Sequence, residues 1–364
     1  MLPDARAAWL DAHEAGWGDP LRLHRSGRLA AQALDQARGR VAAAVGARAD
    51  EVVFTPSGVH ATYAAVAGLA LGRRRIGTRV VTTAVDHSSV LAAAAAYGDH
   101  LPVGVDALGR VDLEAWRRAV SDGGVATACL QVANHEVGTV QPYAEAAEAC
   151  QTSGVPLVLD ASSALGRIDL SHTPDWSVLT GWAGAFGGPV SVGFLVIRKG
   201  VRWRAPYPVD DYQNGRWPGP PDVASIHAAA VALEAYLQLG RAIGERQRIQ
   251  VDRLRTEIIA RVPDVDVVGD PVGRVPHLLT FSALYVDGES LTLELDRAGF
   301  AVASGSACSA NSEHPSHVLA AMGALTHGNV RLGLTRSTTS AEIEAFLDVL
   351  PPVVAELRAR VGVA

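Results

Sequence analysis

The sequence of 364 residues predicts an α/β protein with a large domain around a mostly parallel sheet and a smaller α+β domain after it. From about residue 50 to residue 200, short runs of β-branched residues alternate with Ala- and Leu-rich segments of helical pattern. That alternation is typical of βα units, which build parallel sheets with helices on their faces. The Pro- and Gly-rich stretch at 214–222 breaks the alternation. We therefore assign residues 1–240, with an N-terminal helical segment, to the large domain and residues 241–364 to the small one.

Each element follows from its local pattern. Strands of the large domain are predicted at EVVF (51–54), RVVTTAV (79–85), VATACLQVA (125–133), VPLVLD (155–160), WSVLT (176–180) and VGFLVIR (192–198). Helices are predicted between them at GVHATYAAVAGLALG, SSVLAAAAAYG and PYAEAAEACQTSG. Asp222 is placed to cap a long helix beginning near Val223, and this helix and a second one after it are expected to reach about Val262.

The small domain is predicted to begin with a strand. Its elements are, in order, the strand HLLTFSALYV, the helix GESLTLELDRAG, the strand and loop FAVASGSACSAN, the strand NVRLGLT and a terminal helix from Ser340. This order has no βα alternation, so it is assigned to the α+β class.

Composition limits the classes of function. Hydrophobic residues make up 48% of the chain and charged residues 19%, which is typical of a soluble globular protein. A net charge of -6 offers no basic surface for a phosphate backbone, so we expect no nucleic-acid partner. The first residues lack the pattern of a signal peptide, and no apolar run approaches the length of a membrane span, so we expect a cytoplasmic protein without a membrane partner. The three cysteines are too widely spaced for a disulfide framework or a CxxC metal site.

Several stretches, in order and spacing, resemble the cysteine desulfurase branch of the class V aminotransferases. They are GDPLRLHRSGR (18–28), EVVFTPSGVHAT (51–62), VDHSSVL (85–91), QVANHEVGTVQP (131–142), VPLVLDASSALGRIDL (155–170), GWAGAFGGPVSVGFLVIRKG (181–200), ASGSACSAN (303–311) and NVRLGLTRSTT (329–339). These enzymes have the architecture of fold-type I pyridoxal-phosphate enzymes. The resemblance implies a seven-stranded sheet in the large domain, a small domain that carries Cys308 and Arg331, and a homodimer.

Several residues match positions that carry the chemistry of the resembled enzymes. Asp160 ends a predicted buried strand, where ligands bind in open α/β sheets, and by resemblance it faces the pyridine nitrogen of the cofactor. His87 matches the histidine that stacks on the cofactor ring, and Arg331 matches the arginine that binds the substrate carboxylate. Cys308 matches the loop cysteine that attacks the substrate sulfur and becomes a persulfide. From the residues alone, a helix cap, a surface ion pair and an inert thiol remain open for these positions.

The turn GWAGAFGGP (181–189) keeps the frame of the family's lysine-bearing turn without its chemistry. In an ungapped comparison, Trp182 replaces a phosphate-binding serine and Gly184 replaces a histidine. Ala185 replaces the lysine that forms the Schiff base with the cofactor.

Other cofactor contacts are replaced as well. His60 matches a threonine that contacts the phosphate, and Pro220 matches a second threonine supplied across the dimer. His135, after Asn134, replaces an asparagine near the cofactor hydroxyl, and Ser163 also belongs to the former cofactor pocket. The changes therefore surround the whole cofactor position.

The lysine cannot be supplied from nearby. Lys199 is the only lysine in the chain, and it follows a predicted strand of about seven residues, which spans roughly 20 Å. We therefore expect no covalently bound pyridoxal phosphate and no lysine to move the substrate proton.

The leading functional hypothesis is sulfur handling at Cys308 as a persulfide, without covalent pyridoxal-phosphate catalysis. Arg331, Asn134 and His135 are the candidates for binding substrate. The partners expected are a second copy of the chain, a sulfur donor or acceptor protein and a small thiol.

Three alternatives stay open. The chain could be a non-catalytic partner subunit of an active desulfurase. The vacated pocket could instead hold a metal on His60, His87, His135 and Asp160, because imidazole suits zinc, copper and iron. Pyridoxal phosphate could also bind noncovalently between His87 and Asp160.

Overall fold

The protein is described here by a computed structural model that covers residues 1–173, 175–304 and 315–363. The chain divides into two compact units. The first consists of Met1–Val103, Leu113–Val132 and Pro142–Gly240, and the second of Gly104–Asp112, Ala133–Gln141 and Arg241–Ala364. The two short segments 104–112 and 133–141 belong to the second unit, although they interrupt the first unit in sequence. The boundary predicted between residues 240 and 241 had left both segments in the large domain.

The first unit follows the βα alternation. Its elements are α1 (Pro3–Glu14), α2 (Arg25–Ala44), β1 (Val52–Thr55), α3 (Gly58–Arg73), β2 (Arg79–Thr83), α4 (Ser88–Tyr97), β3 (Asp99–Val103), α5 (Leu113–Ser121), β4 (Val125–Gln131), α6 (Tyr143–Thr152), β5 (Leu157–Asp160), β6 (Val178–Trp182), β7 (Gly193–Ile197) and the beginning of α7 (Val223–Arg261).

The strands form one seven-stranded sheet in the order β1-β7-β6-β5-β4-β2-β3. The pairs β2 with β3, β2 with β4, β4 with β5 and β5 with β6 are parallel. Strand β7 runs antiparallel to both β6 and β1. The prediction of an α/β fold with a mostly parallel seven-stranded sheet is therefore confirmed, and the C-terminal ends of β1, β2, β4, β5 and β6 lie along one edge.

The small side chains of α3 let it pack closely on the sheet. Its buried residues are largely alanines, and they join a core cluster with the strand residues Val53, Val178 and Leu195. Gly68 lies where a Cβ would be 1.9 Å from Nε1 of Trp203. That indole donates a hydrogen bond to the carbonyl oxygen of Ala64 at 2.8 Å, so the glycine admits the segment that covers the helix.

The second unit contains a three-stranded antiparallel sheet in the order β10-β9-β8. Its elements are the end of α7, β8 (Val265–Val268), β9 (Leu278–Ala283), α8 (Gly288–Arg297), α9 (His317–Met322), β10 (Asn329–Gly333) and α10 (Ser340–Arg360). One face of the sheet packs against α7, α8 and α10 around Leu254, Phe281, Leu291 and Phe346, all buried.

The structure corrects several details of the sequence prediction. Strands β3 and β8 and helices α5 and α9 were not predicted, and α7 is one continuous helix where two were expected. Asp222 caps α7 as predicted, since its carboxylate accepts a hydrogen bond from the amide of Ser225 at 3.1 Å. The predicted strand around Ala303 is reduced, within the described residues, to a bridge with Arg331.

The expectation about apolar runs was also wrong. Helix α7 has an 18-residue window of mean hydropathy 1.2, so it is long and apolar enough to cross a membrane by length and composition alone. Half of that window is buried inside the protein, as in the core helix of a soluble fold, which passes the same test.

Candidate functional site

The C-terminal edge of the large sheet gathers the predicted site residues of the first unit. Gln131 at the end of β4 pairs with Asp160 at the end of β5, and Asp160 pairs with Thr180 of β6. Two residues further along β6, Trp182 pairs with Gly193 of β7, which in turn pairs with Thr55 at the end of β1. Ligands bind in open α/β sheets at this kind of edge.

One carboxylate oxygen of Asp160 is hydrogen-bonded to neighbouring residues of the first unit. Its Oδ1 atom accepts hydrogen bonds from the amide of Ser162 at 3.0 Å, from the hydroxyl of Ser162 at 2.6 Å and from the hydroxyl of Thr180 at 3.2 Å. Within residues 1–173, 175–304 and 315–363, Oδ2 has no hydrogen-bond partner. The side chain is only 9% exposed, so the carboxylate is fixed with one acceptor left for a ligand.

Asp86 lies in the turn between β2 and α4 and was not among the site residues predicted from the sequence. Its side chain is fully buried and accepts hydrogen bonds from the amides of Thr83 at 2.7 Å and Gln131 at 2.9 Å. Burial raises the pKa of Asp86 to about 7, against the effect of the two amides, and the charge of Asp160 adds to the increase. An acidic residue directly before His87 and directly after a β-branched run was the available signal.

His87 is the N-cap of α4. Its Nδ1 atom accepts a hydrogen bond from the amide of Ser89 at 3.1 Å and lies 2.7 Å from the Ser89 hydroxyl. The side chain of His87 therefore caps α4 beside the C-terminal end of the sheet.

His60 lies on the first turn of α3 and is exposed. Its Nδ1 atom is 2.7 Å from the hydroxyl oxygen of Ser57, which is the N-cap of the helix and accepts a hydrogen bond from the amide of His60 at 3.2 Å. Trp217 packs edge-on against the His60 ring, with 5.8 Å between ring centroids. His60 is therefore a helix-end residue in contact with an aromatic side chain.

The turn after β6 is a short 3₁₀ helix, Ala183–Phe186, which ends at Gly187 with φ of 79°. The left-handed conformation at Gly187 explains the glycine that the family frame keeps there. The side chain of Ala185 is a methyl group, so the turn carries no amine. Ser163 lies half-buried after the end of β5.

Arg167 holds the backbone of this turn, a contact that the sequence did not predict. Its Nη2 atom donates a hydrogen bond to the carbonyl oxygen of Ala185 at 2.7 Å, and its guanidinium carbon lies 5.1 Å from the ring centroid of Tyr236. Among the described residues no carboxylate forms an ion pair with Arg167, and burial lowers its pKa. The backbone of the turn is thus held by a half-buried guanidinium group.

Trp182 occupies the space between the turn and the start of α3. A Cβ on Gly58 would lie 2.8 Å from Cβ of Trp182, and a Cβ on Gly184 would lie 2.2 Å from Cζ2 of its ring. The indole N–H donates a hydrogen bond to the carbonyl oxygen of Val190 at 2.9 Å. The ring is therefore packed on two glycines and oriented by one hydrogen bond.

Lys199 lies at the opposite edge of the sheet. Strand β7 pairs Gly193 with Trp182 at one end and Ile197 with Val178 at the other. Lys199 follows Ile197, is exposed, and donates its backbone amide to Glu51 at 2.7 Å.

The second unit holds the remaining predicted residues. The guanidinium of Arg331 on β10 donates a hydrogen bond to the carbonyl oxygen of His135 at 3.1 Å. The ring of His135 lies 3.6 Å from the Glu136 carboxylate and 6.4 Å, between centroids, from the ring of His317. Asn134 is fully buried, and its side chain accepts from the amides of Glu136 and Val137 at 2.8 Å each, so it shapes this turn.

Two of the three cysteines lie in the described part of the chain. Cys308 lies outside the described residues. Cys129 and Cys150 are buried free thiols. Burial raises the pKa of Cys129 well above its usual value and that of Cys150 to about 12, so neither is a thiolate at neutral pH.

The described residues do not support the alternative of a metal site. In residues 1–173, 175–304 and 315–363, no group of three or more His, Cys, Asp or Glu side chains is placed to hold a metal ion. Of the four residues proposed from sequence, His135 belongs to the second unit and His60, His87 and Asp160 belong to the first.

Comparison with known proteins identifies the family. Residues 18–346 match the family model described as "Aminotransferase class-V". The chain belongs to the class V aminotransferase family. It is 37% identical to a cysteine desulfurase of Cereibacter sphaeroides over 373 residues, which cover 99% of this chain and 94% of that protein. It is 35% identical to the cysteine desulfurase NifS of Azotobacter vinelandii, covering 94% of this chain and 87% of the relative.

A solved structure titled "NIFS-LIKE PROTEIN" has the same fold. It superimposes with a TM-score of 0.90 at 23% identity, covering 98% of this chain and 97% of the other. Its identity to the two cysteine desulfurases makes the chain a cysteine desulfurase-like member of the class V aminotransferase family.

Proposed function

We propose that this class V aminotransferase family member is a sulfur-transfer protein that carries sulfur as a persulfide on Cys308 and works without covalently bound pyridoxal phosphate. The observation that carries the proposal is the turn at Ala183–Phe186, whose frame is kept while residue 185 has no amine. Pyridoxal phosphate, the cofactor implied by the resemblance, does not fit the residues present, for the two reasons that follow.

The first reason is the missing amine. Covalent attachment needs a lysine at the turn, and Ala185 offers a methyl group. Lys199 lies beyond the far end of β7, so its amine belongs to the other edge of the sheet. No residue of the turn can therefore take over the attachment or the proton transfer that a lysine amine performs.

The second reason is the space at the start of α3. Helix N-termini bind phosphate through free amide groups. Here the indole of Trp182 is packed on Gly58, the first residue of α3, and its N–H is directed to Val190. An apolar ring thus takes the place of a hydroxyl donor beside those amides.

The chemistry proposed for Cys308 needs neither redox agent nor cofactor. The Cys308 thiolate attacks the outer sulfur of a donor persulfide, R–S–SH, and forms a new S–S bond. The bond between the two donor sulfurs breaks, and R–S⁻ leaves with its electron pair and takes up a proton. An acceptor thiolate then attacks the outer sulfur of the Cys308 persulfide and releases the Cys308 thiolate, so that one sulfur atom moves without net oxidation.

Arg331 indicates the class of sulfur donor. By resemblance Arg331 binds a substrate carboxylate, and its fork of donors suits that group. A small persulfide with a carboxylate, such as cysteine persulfide, fits this description, and the persulfide of a donor protein is the macromolecular alternative.

The test combines spectroscopy and mass measurement. Purified protein is incubated with cysteine alone or with cysteine persulfide, and its intact mass and absorbance spectrum are recorded. We expect no absorbance band of bound pyridoxal phosphate and, with the persulfide only, a mass increase of one sulfur atom that is lost in the C308A variant. The C129A variant is the matched control, because that thiol is buried and should leave the adduct unchanged. A cofactor band, or an adduct that persists in C308A, would contradict the proposal.

A partner-subunit function is the second candidate, favoured by the surface around Trp182. Val59, Tyr63 and Val190 are 40%, 41% and 69% exposed, which leaves apolar side chains in solvent near the start of α3. If the chain acts only as such a subunit, it co-purifies with an active desulfurase when the two are co-expressed and forms no sulfur adduct by itself. Light scattering after size exclusion, with and without the partner, separates the two candidates.

A further inference from the structure

We propose that Trp182 determines ligand specificity in the first unit: its indole closes the phosphate-binding end of the former cofactor pocket, so that the pocket rejects phosphate-bearing ligands whatever residue stands at position 185. The inference goes beyond the proposed function. Its failure would leave sulfur transfer at Cys308 untouched, and failure of that transfer would leave this inference untouched.

The position of Trp182 follows from the strand register. It pairs with Gly193, and Gly193 pairs with Thr55, the last residue of β1 before the turn into α3. A Cβ added to Gly193 would lie 2.6 Å from the amide nitrogen of Gly58, so the backbone of β7 is packed against the first amide of the helix. The end of β6 is therefore held next to the helix N-terminus by the sheet itself.

Contacts with two glycines define the place of the ring. Added Cβ atoms would lie 2.8 Å and 3.3 Å from Cβ and Cγ of Trp182 at Gly58, and 2.2 Å and 2.5 Å from Cζ2 and Cε2 at Gly184. Real Cβ atoms do not approach other atoms so closely, because such contacts lie inside van der Waals separation. The indole therefore fits only because both neighbours lack side chains, and it fills the space that they leave.

Part of this helix N-terminus is also occupied. The hydroxyl of Ser57 accepts a hydrogen bond from the amide of His60 at 3.2 Å. A Cβ on Gly193 of β7 would lie 2.6 Å from the amide nitrogen of Gly58, so β7 packs closely there. An anion at this helix end would therefore compete with Ser57 for one of the N–H groups that make helix N-termini attractive to phosphate.

The end of β5 favours a hydrogen-bond donor on the ligand, whereas the start of α3 disfavours an anion. Asp160 keeps one acceptor oxygen without a hydrogen-bond partner among the described residues. The class of ligand that fits both features is a small ring with an N–H donor and no phosphate. Pyridoxal and pyridoxal phosphate differ only in that phosphate, so they are a matched pair of probes.

The experiment restores the amine and then removes the indole. Variants A185K, A185K/W182S and A185K/W182T are incubated with pyridoxal or pyridoxal phosphate over a range of concentrations, and the covalent adduct at residue 185 is trapped with borohydride and counted by intact mass. In A185K we expect pyridoxal to react at least as well as its phosphate. Removing the indole should raise the preference for the phosphate by about tenfold or more, since a single charge-assisted hydrogen bond is worth that much.

The control keeps the ring and removes its hydrogen bond. A185K/W182F should retain the preference of A185K, because exclusion depends on the ring and not on its N–H. Thermal unfolding of each variant verifies folding, and the threonine variant serves if the serine variant is unstable, since threonine suits the end of a strand. An equal preference in A185K and in both indole-free variants would overturn the inference. Absence of any adduct in the folded indole-free variants would also overturn it, because another feature would then close the pocket.

Discussion

The carboxylate of Asp86 accepts a hydrogen bond from the backbone amide of Gln131 at 2.9 Å, although Asp86 is fully buried. This contact links the turn after β2 to the end of β4, and β4 is the sheet neighbour of β5, which ends at Asp160. The burial that fixes it also raises the pKa of Asp86 to about 7, so the group changes charge near neutral pH.

Asp86 should make stability fall as pH rises. Its pKa is about 3.8 in the unfolded chain and about 7 in the folded one, so between these values only the folded state holds the proton. This contribution to the free energy of unfolding is fully present below about pH 4, falls as pH rises from there and is exhausted once pH has passed about 7, a loss of roughly 2–4 kcal/mol. Chemical unfolding of wild type and D86N from pH 4.5 to 8 measures the difference.

The comparison with D86N is needed because two histidines act in the opposite sense. Burial lowers the pKa of His100 and of His227, so each adds stability as pH rises through the ordinary histidine range. The D86N variant retains both histidines and loses the carboxyl. Equal pH slopes in wild type and D86N would show that Asp86 does not titrate as the structure indicates.

Two glycines inside helices should respond in opposite ways to alanine. In G68A the new methyl would meet the indole of Trp203, which overpacks the site and breaks its hydrogen bond to Ala64, at a cost of about 2–4 kcal/mol. Gly39 on α2 has open space around its missing Cβ, so G39A should stabilise by about 0.5–1 kcal/mol. Denaturant unfolding of both variants checks this, and similar effects at the two positions would contradict the packing described for Trp203.

The local sequence pattern predicted every strand of the large sheet except the outermost one next to β2. Strand β3, Asp99–Val103, contains a proline and buries only Val103, because it pairs with β2 alone and lies at the edge. An edge strand needs neither alternation nor a continuous apolar run, so it left no periodic signal. Helix α7 continues through Gly240, where a Cβ would lie 2.7 Å from the carbonyl oxygen of Gly166. This glycine permits close packing and does not end the helix.

The candidate site was predicted only as far as strand ends could place it. Asp160 and Trp182 lie at the expected edge because the register of a parallel sheet fixes that edge. The cap formed by His87 and the turn formed by Asn134 use amides two residues along the chain, and a helix cap was among the interpretations open from the sequence. The contact of Arg167 with Ala185 joins residues 18 positions apart. No spacing rule specifies such a neighbour, so this contact emerged only from the structure.

Native thiol chemistry should single out one cysteine. Because burial raises the pKa of both Cys129 and Cys150, neither should react with iodoacetamide at neutral pH while the protein is folded. We expect one alkylated site by peptide mapping, at Cys308, and three after unfolding in denaturant. Modification of Cys129 or Cys150 in the folded protein, at a rate similar to that of Cys308, would contradict the burial of those thiols.

Replacing Lys199 tests the claim that no amine of this chain acts in the site. Lys199 is exposed at the sheet edge opposite Trp182, and its backbone amide, not its side chain, bonds to Glu51. K199R and K199Q should therefore leave sulfur loading of Cys308 and the absorbance spectrum unchanged, with unfolding free energy altered by less than about 0.5 kcal/mol. The A185K variant is the matched comparison, because it places the same amine at the other edge. Loss of sulfur loading in K199Q but not in K199R would assign a function to the positive charge, and loss in both would assign it to the amine itself.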